Sequence, residues 1–210
     1  MIAGTGRFVA YKWAWGLGAT LLQSLIYFNV GHASFARSTE VLRTALDDAI
    51  PFLPFTAWFY LPVYAVILVA AVVGLRTRAY FDRALVGVGL IMLVGLAGHL
   101  LIRAEYPRPL LRPPFHGLSE VFLAGIQATD PPGNVFPSLH VAHSTALALI
   151  VHRENPRLGR PLLVLAALLA LSTLTTKQHF VVDVFAGLAL AVAVRIVVLR
   201  GARITSTSRG

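Results

Sequence analysis

Six apolar runs constrain this chain more than anything else in it, lying at roughly 10–31, 55–75, 84–102, 137–152, 161–176 and 179–199. A helix crosses a bilayer with about 20 apolar residues, so each run is a candidate span, the fourth and fifth being short for a full crossing. Pro137 and Pro161 stand where the fourth and fifth helices are expected to begin, as suits proline at a first helical position. Composition agrees: charged residues make up 13% of the chain and mean hydropathy is +0.73, against about 25% charged in a soluble domain. The expectation is an all-α polytopic membrane protein, a six-transmembrane-helix bundle forming one domain over residues 1–210. The first run is too long and too aromatic for a signal-peptide core and is read as a span. Two further segments, 36–50 and 118–126, are amphipathic. Each is expected to be a short helix, either lying in the headgroup plane or packed on the bundle. Thr205–Gly210 reads as a frayed tail.

The net charge of +9 does not point to nucleic acid. The arginines sit in short tracts between apolar runs, which is the pattern of a topology signal. With the N-terminus placed in the cytoplasm, one side collects twelve basic residues, including Arg76, Arg78, Arg83, Arg153, Arg157 and Arg160, against only Asp82 and Glu154. The other side has six basic and seven acidic residues. Positive charge stays inside, so both termini are expected in the cytoplasm of a cell-membrane protein. The chain has no cysteine, which excludes disulfides, thiolate metal sites and cysteine nucleophiles.

Ionisable groups at membrane depth are costly and mark function by default. They concentrate in Arg103–Pro114, Asn134–His140 and Lys177–Asp183, all at the non-cytoplasmic ends of the last four runs. His179 and Asp183 are four apart at an expected helix start and would share a face. A carboxylate there can hold one ring nitrogen and leave the other with a free lone pair, as an imidazole nucleophile requires. The same pair could simply pin the last span. Pro137-Ser138-Leu139-His140 would open a helix whose first-turn N–H groups make an anion site, or be an ordinary proline-capped helix. Arg103, Arg108 and Arg112 suit bidentate phosphate binding, or snorkel to the interface. A His140–His143 metal pair lacks a third ligand of suitable spacing.

Taken in order, these stretches resemble the signature of the type 2 phosphatidic acid phosphatase superfamily: Lys-x6-Arg-Pro, Pro-Ser-Gly-His and Ser-Arg-x5-His-x3-Asp. The matching residues are Arg108-Pro109, Pro137-Ser138-Leu139-His140 and His179 with Asp183, within a core of about 85–195. Leu101 stands where the first motif has lysine, Leu139 where the second has glycine, and Thr173 where the third has arginine. The Pro-Ser-Leu-His form and the Lys177-Gln178-His179 stretch look closest to the branch that includes inositol phosphorylceramide synthases. The resemblance implies a metal-independent phosphoryl transfer, with no cofactor. His179 attacks phosphorus, Asp183 orients it, and His140 protonates the departing oxygen. Ser138, Leu139, Arg108, Lys177 and Arg103 are implied to hold the phosphate oxygens. The implied activity is hydrolysis of a lipid phosphomonoester or diphosphate at the non-cytoplasmic face, or alternatively transfer of a phosphoryl headgroup to a lipid alcohol. The implied partners are a lipid phosphate and the bilayer. A transporter is disfavoured, because a conduit needs polar groups along its length and the first two runs offer little beyond Gln23 and Asn29. A non-catalytic scaffold would not require His140, His179 and Asp183 to converge.

Overall fold

The structure, a computed structural model, describes residues 2–37 and 39–204. Arg209 and the expected tail, Thr205–Gly210, fall outside the described residues. The helices are α1 (Ile2–Phe35), α2 (Ala45–Ala49), α3 (Leu61–Gly74), α4 (Arg78–Ile102), α5 (Leu118–Thr129), α6 (Leu139–Glu154), α7 (Pro156–Thr175) and α8 (Val181–Ile204). A 3-10 helix, Pro54–Phe59, leads into α3. No strand forms among the described residues; an isolated parallel bridge joins Glu40 to Ala104. The architecture is all-α, as expected.

Six long helices run back and forth between two ends. Four apolar segments, Pro54–Gly74, Arg78–Ile102, Pro156–Thr175 and Val181–Arg200, are long and apolar enough to cross a membrane. The chain is therefore a membrane protein. The other two expected spans differ in kind. α1 is long but carries Lys12, Gln23 and Asn29 within its length. α6 has 16 residues and reaches about 24 Å at 1.5 Å per residue, short of a hydrocarbon core of about 30 Å. It packs against α3, α4, α7 and α8, and Arg153 is its only exposed residue. A helix enclosed by protein does not need an apolar surface, so hydropathy understates it.

Two helix starts differ from expectation. Pro161 lies inside α7, which begins instead at Pro156 with Asn155 as its N-cap. The earlier start makes α7 a full-length span of 20 residues. α6 begins at Leu139 with Ser138 as N-cap, so Pro137 belongs to the preceding loop.

One end of the bundle is stitched by capping bonds. The Lys12 ammonium donates to the carbonyls of Leu75 (3.0 Å) and Val73 (3.3 Å) at the C-terminus of α3, where a cation suits the helix dipole. Glu154, ending α6, accepts from the N–H groups of Arg76 and Thr77, both at 2.9 Å. At the opposite end, the Ser34 hydroxyl donates to His99 O at 2.6 Å, joining the C-terminal ends of α1 and α4. Here the three polar stretches meet. α5, one of the two amphipathic segments, packs on the 3-10 helix through Trp58 stacked on Phe122 at 4.5 Å. Its Leu118 stays 80% exposed, an apolar residue left facing outward. The other amphipathic segment folds only over Ala45–Ala49.

Candidate active site

Chain geometry brings the second and third polar stretches into direct contact. The Ser138 N–H donates to the Asp183 carbonyl at 3.1 Å. That approach needs Gly187, about one turn after Asp183 on α8, because a Cβ there would meet Ser138 O at 2.6 Å. Gly98 does the same service for α4, where a Cβ would lie 2.9 Å from Phe136 O. Ser138 is fully buried, and its hydroxyl has no hydrogen-bond partner among the described residues. The helix start leaves the N–H groups of Leu139, His140 and Val141 without intrahelical acceptors. The Leu139 side chain itself packs on α4 at Gly95, so only its backbone is available to a ligand.

His179 lies on the turn before α8 and not on the helix as expected, yet it still meets Asp183. Nδ1 is 3.5 Å from Asp183 Oδ2, long for a hydrogen bond but within reach of one as a site tightens. Oδ2 also accepts from the Phe180 N–H at 2.7 Å, while Oδ1 has no partner among the described residues. Both residues are buried, at 3% and 0% exposure. Phe180 is held in turn by Tyr106, stacked on it at 4.1 Å. Tyr106 lies in the loop after α4, where burial pushes its hydroxyl up to about 12.

The three arginines separate clearly. Arg103 ends α4 in a left-handed conformation and is exposed, as is Arg112. Arg108 has a buried side chain. It donates to Asp130 O at 2.6 Å and Pro131 O at 3.4 Å, and lies 3.6 Å from the Asp130 carboxylate. Its Nε has no partner among the described residues. Lys177 is engaged elsewhere: its ammonium donates to Asp47 O at 2.9 Å and Ile50 O at 2.6 Å. The structure thus brings His179, Asp183, Ser138, His140 and Arg108 to one end of the bundle. It sends Arg103 to the surface and Lys177 to the loop around α2.

His140 sits in a cage of tyrosines. The rings of Tyr60, Tyr64 and Tyr27 lie edge-on at 4.8, 4.9 and 5.8 Å. Nδ1 is 3.0 Å from the Tyr60 hydroxyl. His179 and Arg108 are near enough to act on His140 electrostatically. His143 places its Nε2 3.4 Å from Val88 O, so the two histidines bond different partners. A cavity of about 150 Å³ opens beside His140, lined by Tyr27, Tyr64, Leu61, Met92 and Gln23. Gln23 and Met92 also line an apolar crevice of about 910 Å³ between α1 and α4.

The tyrosines and Asp130 escape a reading of the sequence. Tyr60 and Tyr27 lie inside apolar runs, where an aromatic residue looks like ordinary span packing. Asp130 looks like one more acid among seven. Their only signal is that polar groups deep in a membrane bundle need partners.

A family model described as PAP2 superfamily matches residues 83–204, more than half of the chain. The match takes in all three polar stretches but not α1 or Tyr60. No curated protein matches the chain. No solved structure matches it either.

Proposed function

Because the chain belongs to the PAP2 superfamily, whose members are phosphatase-type enzymes, we propose that it is a membrane lipid phosphatase working through a phosphohistidine. His179 Nε2 attacks phosphorus as the bond to the lipid oxygen breaks, and His140 gives its proton to that oxygen. In the second half, His140 takes a proton from water, the hydroxide attacks phosphorus, and the N–P bond breaks to free phosphate. Asp183 orients His179 throughout. Arg108, the Ser138 hydroxyl and the N–H groups opening α6 hold the phosphate oxygens, where charge must be stabilised.

The observation that carries this reading is the Ser138–Asp183 backbone contact, which sets the N-terminal end of α6 beside the His179–Asp183 pair. The orphaned polar atoms, Ser138 Oγ, Arg108 Nε and Asp183 Oδ1, add support, since buried polar groups normally have partners. The crevice between α1 and α4 fits an apolar tail reaching in from the bilayer. We place the site at the non-cytoplasmic face, with six crossings and both termini inside, on the charge asymmetry. Lys177 and Arg103 serve here as ties for the surrounding loops.

Purified protein incubated with lipid phosphates and diphosphates, with chelator present, is expected to release phosphate. A rapid acid-free quench is expected to trap phosphohistidine. His179→Ala is expected to abolish both. Turnover surviving that substitution would sink the mechanism. A new lipid product on adding inositol or another alcohol would assign transfer over hydrolysis.

A further inference from the structure

His179 has its own carboxylate, Asp183. A base or acid that must present one nitrogen needs the other one held, and among the described residues no carboxylate bonds the ring of His140. Its Nδ1 instead meets the Tyr60 hydroxyl at 3.0 Å. Behind Tyr60 stands Asp130, a carboxylate at the C-terminal cap of α5, near enough for its charge to act on the Tyr60 hydroxyl. Asp130 is itself fixed. Tyr27 donates to its Oδ1 at 2.9 Å, and Arg108 faces its Oδ2 at 3.6 Å. Three elements distant in sequence thus converge behind one histidine ring: the start of α3, the end of α5 and the middle of α1.

We propose that Tyr60 and Asp130 are positioning residues for His140, Tyr60 accepting the Nδ1–H and passing its own hydroxyl proton's bond to Asp130. The inference rests on the reading of His140 as the acid. Nδ1 then keeps its proton through both half-reactions, and only Nε2 exchanges one. Nε2–H protonates the departing oxygen, and the same nitrogen's lone pair later receives a proton from water. A Tyr60 hydroxyl that donated to Nδ1 instead would fix the opposite tautomer and leave Nε2 without a lone pair for the second step. The negative charge of Asp130 supports the imidazolium, which is spent in the first half-reaction and restored in the second.

The test compares kcat/KM, which reports the phosphorylation step, on two substrates with similar tails. A long-chain alkyl phosphate has a leaving group that needs a proton; an alkylated nitrophenyl phosphate has one that does not. For His140→Ala, the preference for the nitrophenyl substrate is expected to rise by about 100-fold or more, the scale of a general acid. For Tyr60→Phe and Asp130→Asn it is expected to rise by about 10-fold, as for partners that orient a functional histidine. A merely structural role lowers both rates alike and leaves the ratio unmoved, and that result in Tyr60→Phe would overturn the proposal. A flat ratio in His140→Ala would instead bring down the acid reading itself. The unmodified protein gives a second readout that no folding defect can obscure. Nitrogen NMR of 15N-histidine-labelled protein, with His140 assigned by its loss in His140→Ala and the pH raised until its ring is neutral, is expected to show that ring protonated on Nδ1. A ring protonated on Nε2 would overturn the proposal.

Discussion

The Asp47 carboxylate accepts a hydrogen bond from the Val181 N–H at 2.8 Å, so helix α8 is capped from the loop between α1 and α3. Its other oxygen accepts from the Thr44 N–H at 2.7 Å and the Thr44 hydroxyl at 2.6 Å. The residue is 4% exposed. Removing it takes three hydrogen bonds from partly buried donors, each worth about 1 kcal/mol. Asp47→Ala is expected to melt at a lower temperature in detergent and to lose kcat, because the turn carrying His179 hangs from this cap. Asp47→Asn keeps one oxygen and is expected to lose less. An unchanged melting point in Asp47→Ala would deny the cap its role.

Lys177 is expected to behave as a structural tie. Its two bonds to Asp47 O and Ile50 O draw the same loop onto the turn. Lys177→Ala is expected to lower the melting temperature while KM for a lipid phosphate stays within about twofold, since uniform substrate binding is untouched. Lys177 also has φ of 55°, a left-handed backbone that costs a non-glycine residue about 1–2 kcal/mol. Lys177→Gly, which loses the same bonds but relieves that cost, is expected to melt above Lys177→Ala. A large rise in KM without loss of stability would return the ammonium to the phosphate.

Asp183→Asn tests orientation separately from stability. An amide can still meet the Phe180 N–H through its oxygen, but it cannot support a positively charged His179 ring. The expected loss in kcat is about 10²- to 10⁴-fold, the range seen when a carboxylate that orients a catalytic histidine is neutralised. Melting temperature should change little. Pre-steady-state release of the lipid alcohol, the product that leaves as His179 is phosphorylated, would place the loss in the phosphorylation step.

Gly187 and Gly89 make a matched pair. A Cβ at Gly187 meets Ser138 O at 2.6 Å, whereas one at Gly89 has nothing within 4 Å. Gly187→Ala must push α8 off the Ser138 loop, and overpacking of this kind costs about 1–3 kcal/mol. Both stability and kcat are expected to fall. Gly89→Ala adds a better helix former on α4, worth up to about 1 kcal/mol, and is expected to keep stability and kcat, any change falling on KM because Gly89 lines the crevice between α1 and α4. Thermal unfolding and phosphate release on the two variants check the contrast.

Apolar periodicity and arginine tracts made most of the architecture readable before any coordinates. Helices α3, α4, α7 and α8 announce themselves because they face lipid, where side chains must be apolar. α6 is blurred for the opposite reason: its neighbours are protein, so Ser144 and His143 can sit within it. The motif residues Ser138, His140, His179 and Asp183 were legible because short-range spacing carries them. The placement of Lys177 is not legible in its closeness to His179, since two residues before it the chain turns through a left-handed conformation and aims the ammonium at another loop. Asp47, Tyr60 and Asp130 were illegible on their own. Each acts through a partner more than 60 positions away, and one sequence does not record such pairings.

The enclosed position of α6 also bears on how the protein is made. A 16-residue helix with two histidines in its first two turns is a weak signal for insertion, which depends on length and apolarity. Only Asn155 separates it from α7, a long apolar helix that inserts readily by the same measure. The two therefore enter the bilayer as a hairpin, with α7 drawing α6 in behind it. On that route the contact between the Asp183 carbonyl and the Ser138 N–H is expected to close last, when α8 arrives.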